Sequence, residues 1–226
     1  MKCLFFKPKK HGKFGMDDST IINYKKYKKQ ERITGFFGII ISISFILSFS
    51  IIYIFFIPPF LIDETPIIMY NIENIPGKDF IKYIAYFFTG LLIVFFNISL
   101  IKNTDNSETN ITGKICLLIS GIFYSSLGVI NFSNEWDDLN MFQSLFTLPI
   151  GILGLFFLCF DFEKISKLYK FKKGLIIITF YLIIESIVNF IFIINNYPYN
   201  PIIAKLSWLI YFTSFGFIGL SLLFKR

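Results

Sequence analysis

Residues 174–194 read GLIIITFYLIIESIVNFIFII, an apolar run in which Glu185 is the only acidic or basic residue. About 20 residues at 1.5 Å rise each cover the roughly 30 Å of a bilayer's hydrocarbon, so a run of this length and composition reads as a membrane-spanning helix. Five more runs of the same kind occupy residues 33–57, 80–101, 113–132, 141–160 and 204–224. None alternates apolar and polar residues as a barrel strand does, and backbone groups in lipid must be satisfied internally, so helices are selected over a closed barrel. The expectation is an all-α fold, an integral membrane bundle of six transmembrane helices, multi-pass in a cell membrane.

Composition supports the same class. Of 226 residues, 54% are hydrophobic and 20% aromatic, more than one soluble domain of this size buries. Two runs have sharp ends: Pro58-Pro59 follows the first, and Asn195-Asn196 with Pro198 and Pro201 follows the fifth.

Charge placement sets the orientation. Residues 1–32 carry nine lysines and Arg32 against three acids, which accounts for the whole net charge of +7. Counted over alternate sides of the six runs, 19 of the 22 lysines and arginines fall on the side of the tail and three, Lys78, Lys82 and Lys205, on the other. The positive-inside rule then places both termini in the cytoplasm. The chain divides into a basic cytoplasmic tail, 1–32, and a six-helix transmembrane domain, 33–226. The tail is expected to meet anionic lipid headgroups, with a short helix capped by Asp18 or Ser19. Because the charge is segregated by topology, nucleic acid is not an expected partner; the lipid bilayer is, and a homo-oligomer or a membrane-protein partner fits the class.

Chemistry-bearing motifs are sparse. His11 is the sole histidine, and Cys3, Cys116 and Cys159 lack metal-ligand spacing, so no metal site, cofactor or disulfide is expected. No HExxH, GxSxG or phosphate-binding glycine loop occurs, and no catalytic residue is assigned. The acids Glu135, Asp137 and Asp138 around Trp136 suit a solvated loop with an interfacial tryptophan better than a calcium site.

Glu185 is therefore the candidate. Residues four apart share a helix face, which puts Tyr181, Glu185 and Asn189 in one polar stripe. An ionised carboxylate in hydrocarbon costs at least about 2.5 kcal/mol, so the group is expected to face the bundle and to be neutralised by a proton or a bound cation. Tyr211 and Ser214, which share a face with Ser207 in the sixth run, and Asn97, which falls with Tyr86 and Thr89 in the second, are polar groups placed to meet it. The expected role is binding or passing a proton, cation or small solute; the alternative is a non-transporting scaffold or regulatory subunit. Gly35, Gly38 and Ser42, Gly121, Ser125 and Gly128, and Gly151 with Gly154 form small-residue seams of the kind that pack helices closely. A weak internal likeness aligns 123–130 with 211–218, and Pro149 marks a bend in the fourth run.

The layout of six helices, Leu127-Gly128-Val129-Ile130 closing the third, and the acidic Glu135–Asp138 stretch after it resembles the prokaryotic membrane proteins of domain-of-unknown-function family 998. That family's proline in this stretch and histidine opening the fourth helix are replaced here, with Met141 and Phe142 in the region. The resemblance implies a cell-membrane protein and carries over no catalytic residues.

Overall fold

The structure, a computed structural model, describes residues 18–56, 78–103, 108–129, 137–161, 169–194 and 201–224. The tail before Asp18, residues 57–77, and Glu135 and Trp136 lie outside the described residues. Within them the chain is all-α, in six helices. Helix α1 is Asp18–Ile51 with a π-helical end, Ile52–Phe56. Helix α2 starts at Lys78–Phe80, passes through a π-helical stretch, Ile81–Phe88, and continues as Thr89–Asn103. Then come α3, Glu108–Ser126, α4, Asp137–Asp161, α5, Tyr169–Ile194, and α6, Pro201–Leu223. Three segments, Lys29–Ile51, Lys82–Lys102 and Lys205–Leu223, are long and apolar enough to cross a membrane.

Several boundaries differ from the sequence reading, each for a local reason. Helix α1 begins at Asp18 and runs without a break into the first apolar run, since no glycine or proline separates Asp18 from Ile33. The tail helix and the first run are thus one element. Helix α3 stops at Ser126 rather than 132. Ser125 and Ser126 turn their hydroxyls back onto the carbonyls of Ile122 and Phe123, at 2.9 and 2.8 Å, and Gly128 and Val129 close a tight turn with N–H bonds of 3.0 Å to Ser125 and Ser126. A Cβ at Gly128 would strike the Lys82 carbonyl and Phe87, so the turn rests directly on α2. Helix α4 starts at Asp137, which puts Asp137 and Asp138 in its first turn, where acids suit the positive end of the helix dipole.

The helices pack in sequence order, each on the next, and α1 on α6, which closes a ring; α4 also touches α6. Small residues make the tightest crossings. A Cβ on Gly38 would lie 2.5 Å from the Phe215 carbonyl oxygen and 3.0 Å from the Gly219 Cα, while one on Gly35 would lie 2.8 Å from the Gly219 oxygen. Higher on the same crossing, Ser42 Oγ donates to the Phe212 carbonyl at 2.7 Å. Gly113 and Gly154 bring α3 onto α4, and Gly90 brings α2 onto the Ser125 backbone. Gly35, Gly38, Ser42, Ser125 and Gly154 belong to the seams read from sequence; Gly90, Gly113 and Gly219 do not.

The crossing of α1 and α2 is built differently, from hydroxyl pairs. Thr34 Oγ1 meets Ser99 Oγ at 2.5 Å, and Ser44 Oγ meets Thr89 Oγ1 at 3.1 Å. Moving from 34 to 44 on one helix matches moving from 99 to 89 on the other, so the pair is antiparallel and in one register for about 15 Å. Thr89 Oγ1 also donates to the Ile84 carbonyl five residues back at 3.2 Å, a reach that the π-helical stretch provides.

Candidate functional site

Helix α5 sorts its side chains by face. Leu175, Thr179, Leu182 and Glu185 are buried, at spacings of three and four, whereas Ile177, Phe180, Ile184, Ile187 and Ile191 are exposed on the other side. Glu185 is 5% exposed. Thr179 hydrogen-bonds the Leu175 carbonyl at 2.8 Å and lies 3.7 Å from Cys159 Sγ of α4, which ties this face of α5 to its neighbour.

The other residues of the polar stripe behave differently. Tyr181 is 36% exposed, on the margin between the two faces. Four residues advance a helix by about 400°, so the stripe drifts by about 40° per step, enough to leave Tyr181 outside while Glu185 turns in. Asn189 is on the helix, and its side chain lies outside the described residues.

Helix α6 carries the centre of the bundle. Trp208, Tyr211, Phe212 and Phe215 share one buried face. Phe212 stacks on Phe45 of α1 at 4.0 Å between centroids and meets Tyr124 of α3 at 5.0 Å; Phe215 meets Phe96 of α2 edge-on at 5.6 Å. Trp208 and Tyr86 flank Tyr124 at 5.5 and 5.4 Å. Aromatic rings from four helices thus pack on one another inside the ring of helices.

One hydrogen-bond chain crosses this apolar interior. Ser120 Oγ donates to the Thr147 carbonyl at 2.8 Å, and Ser120 Oγ and Tyr211 Oη are 2.9 Å apart. Ser120 has a single proton, so Tyr211 is the donor in the second bond. Gly151 makes room: a Cβ there would collide with the Tyr211 hydroxyl and lie 2.5 Å from its Cζ. Ser214, one turn on, donates to the Tyr211 carbonyl at 2.6 Å, so its hydroxyl is engaged within α6.

Asn97 is fully buried on α2, its Nδ2 donating to the Ile93 carbonyl at 2.8 Å. Its Oδ1, and Tyr124 Oη, are buried with no hydrogen-bond partner among the described residues. Buried polar atoms are nearly always satisfied, so these two stand out within the apolar interior. Helices α2 and α5 are not ring neighbours, and α2 does not bring Asn97 to Glu185 across an extensive interface.

Of the residues expected from sequence, Glu185, Asn97, Tyr211 and Ser214 are buried and Tyr181 lies on the margin; the bond between Ser214 and the Tyr211 carbonyl is internal to α6. Sequence reasoning missed Ser120, Thr147 and Gly151 as the surroundings of Tyr211. Ser120 is four residues before Tyr124, on a face of α3 turned to α4 and α6, whereas the Gly121, Ser125 and Gly128 seam beside it meets α2. Thr147 and Gly151 are likewise four apart, on the inward face of α4. The aligned segments 123–130 and 211–218 agree only in part: Ser126 and Ser214 each bond the carbonyl three residues back, but α3 ends at Ser126 and passes into a turn whereas 211–218 is helical throughout. Compared with protein-family models, curated proteins and solved structures, the chain matches none.

Proposed function

We propose that the chain is a multi-pass protein of the cell membrane with six spans and both termini in the cytoplasm, and that it binds or passes a proton, cation or small solute at Glu185. Helices of 25, 26 and 23 residues for α4, α5 and α6 reach roughly 35–39 Å, enough to span the hydrocarbon with modest tilt, which supports a crossing by each. The lysine and arginine asymmetry orients them. The likeness to family 998 enters this proposal as topology alone.

The observation that carries the functional reading is the burial of Glu185 on the inward face of α5. A carboxyl group in that setting exchanges a proton or cation with whatever polar path reaches it. A second reading, a membrane scaffold or regulatory subunit, is favoured by one observation: the aromatic side chains around Phe212 pack directly on one another across α1, α3 and α6.

Thermal unfolding of the purified protein, wild type beside Glu185→Gln, across pH and a panel of cations, separates the two. A ligand that binds only the native state adds RT ln(1 + [L]/Kd), about 2.7 kcal/mol at a hundredfold excess over Kd. The binding reading expects a midpoint that rises with one cation, or changes with pH, in the wild type and not in the variant. Identical responses of both proteins would support the scaffold.

A further inference from the structure

Between α1 and α2 the surface carries a groove of about 370 Å³, lined by Gln30, Ile33, Phe37, Phe95, Ile98, Ser99 and Lys102. Its origin is the way these two helices cross. Gly35 and Gly38 are spent on α6 and Gly90 on α3, so no glycine draws α1 onto α2. The Thr34–Ser99 hydroxyl pair holds the two backbones at side-chain distance instead, and the space beside that pair stays open.

The lining is graded along the helix axes. Lys102, in the last turn of α2, and Gln30 are exposed at one end, and Lys29 is exposed beside them. Ile33, Phe95 and Ile98 are exposed further along, 44, 52 and 37%. Glu31, the acid nearest in sequence, is buried and does not line the groove. A cationic and amide-bearing mouth above an exposed apolar trough matches one kind of partner, a molecule with an anionic head and a hydrocarbon tail.

We infer that this groove binds a single anionic glycerophospholipid of the cytoplasmic leaflet, its phosphate accepting from the Lys102 ammonium and the Gln30 amide, one acyl chain lying on Phe37, Phe95 and Ile98. The inference rests on the topology proposed above, which puts Gln30 and Ile33 of α1 and the end of α2 at the cytoplasmic interface. It is independent of Glu185. It differs from a general attraction of the basic tail to an anionic surface because it requires a fixed site on one face of the bundle.

Tryptophan quenching by brominated lipid locates the site. Phe95→Trp reports from the groove, and Leu153→Trp, exposed on α4 at a similar distance from its helix end, reports from a face without the groove. Each variant is reconstituted into bilayers in which brominated phosphatidylglycerol or brominated phosphatidylcholine replaces part of a phosphatidylcholine background, with the parent fluorescence subtracted. The groove predicts that phosphatidylglycerol is preferred about fivefold at Phe95→Trp, the factor one basic side chain contributes near an anionic surface, and not at Leu153→Trp. Adding Lys102→Gln to Phe95→Trp brings the preference to about one. Equal preference at both positions, or a preference that survives Lys102→Gln, overturns the groove and assigns the effect to the tail. No quenching by either lipid at either position overturns the membrane topology itself.

Discussion

The closest approach of α1 and α6 offers a sharp test of the packing. At Gly38 a methyl group would meet the Phe215 carbonyl oxygen at 2.5 Å, the Gly219 Cα at 3.0 Å and the Gly219 nitrogen at 3.1 Å. All three are backbone atoms, so no flexible side chain can move aside and the helices themselves must separate. Separation also stretches the Ser42–Phe212 hydrogen bond of 2.7 Å, one turn along the same crossing. Overpacking of this kind costs typically 1–3 kcal/mol, and an interhelical hydrogen bond in a membrane protein averages about 0.6 kcal/mol. Gly38→Ala should therefore lose about 2–3 kcal/mol, or roughly 4–12 °C in Tm for a chain of this size. Gly174→Ala is the control, since nothing lies within 4 Å of a Cβ built there. As a glycine-to-alanine change inside a helix it should be neutral or stabilise by up to about 1 kcal/mol. Thermal unfolding of both variants in the same detergent decides the matter. If Gly38→Ala melts with or above Gly174→Ala, α1 and α6 do not meet as described.

Two further predictions probe the register and the hydrogen-bond chain. Cysteines at Thr34 and Ser99, in a background with Cys3, Cys116 and Cys159 replaced by serine, should form an intramolecular disulfide on mild oxidation, because the two hydroxyls are 2.5 Å apart; absence of a gel shift after cleavage between the helices would reject the register. Tyr211→Phe should cost between about 0.6 and 1.7 kcal/mol in thermal unfolding through loss of its bond to Ser120; Ser120→Ala also loses the bond to the Thr147 carbonyl, and the double variant should lose less than the sum of the two single losses, whereas full additivity would mean the two do not interact.

Much of the architecture was legible in the residues. Long apolar runs bounded by Pro58-Pro59 and by Asn195-Asn196 located helices, and small residues three and four apart marked the crossings that Gly38, Gly128 and Gly154 make. What was not legible depends on rotation and neighbour order. Tyr181 and Glu185 are four apart, yet a drift of about 40° suffices to expose one and bury the other. Tyr211 looked like a partner for α5, but its hydroxyl meets Ser120 of α3, because Gly151 leaves space on that side and a side chain larger than hydrogen would not. The π-helical stretch Ile81–Phe88 has no signature in composition; its sign is the reach of Thr89 to Ile84, visible only once the backbone is placed. Likewise the groove at Lys102 arises from an absence of glycine at one crossing, which acquires meaning only when α1 and α2 are known to be neighbours.

The central claim is that the Glu185 carboxyl holds an exchangeable proton or cation inside the bundle. Infrared difference spectroscopy of the reconstituted protein, recorded on changing pH or cation, observes that group directly. The account predicts a carboxylic-acid C=O band that appears or disappears with pH, or a carboxylate band that moves with one cation, present in the wild type and missing in Glu185→Gln. Identical difference spectra from the two proteins under every condition would contradict it.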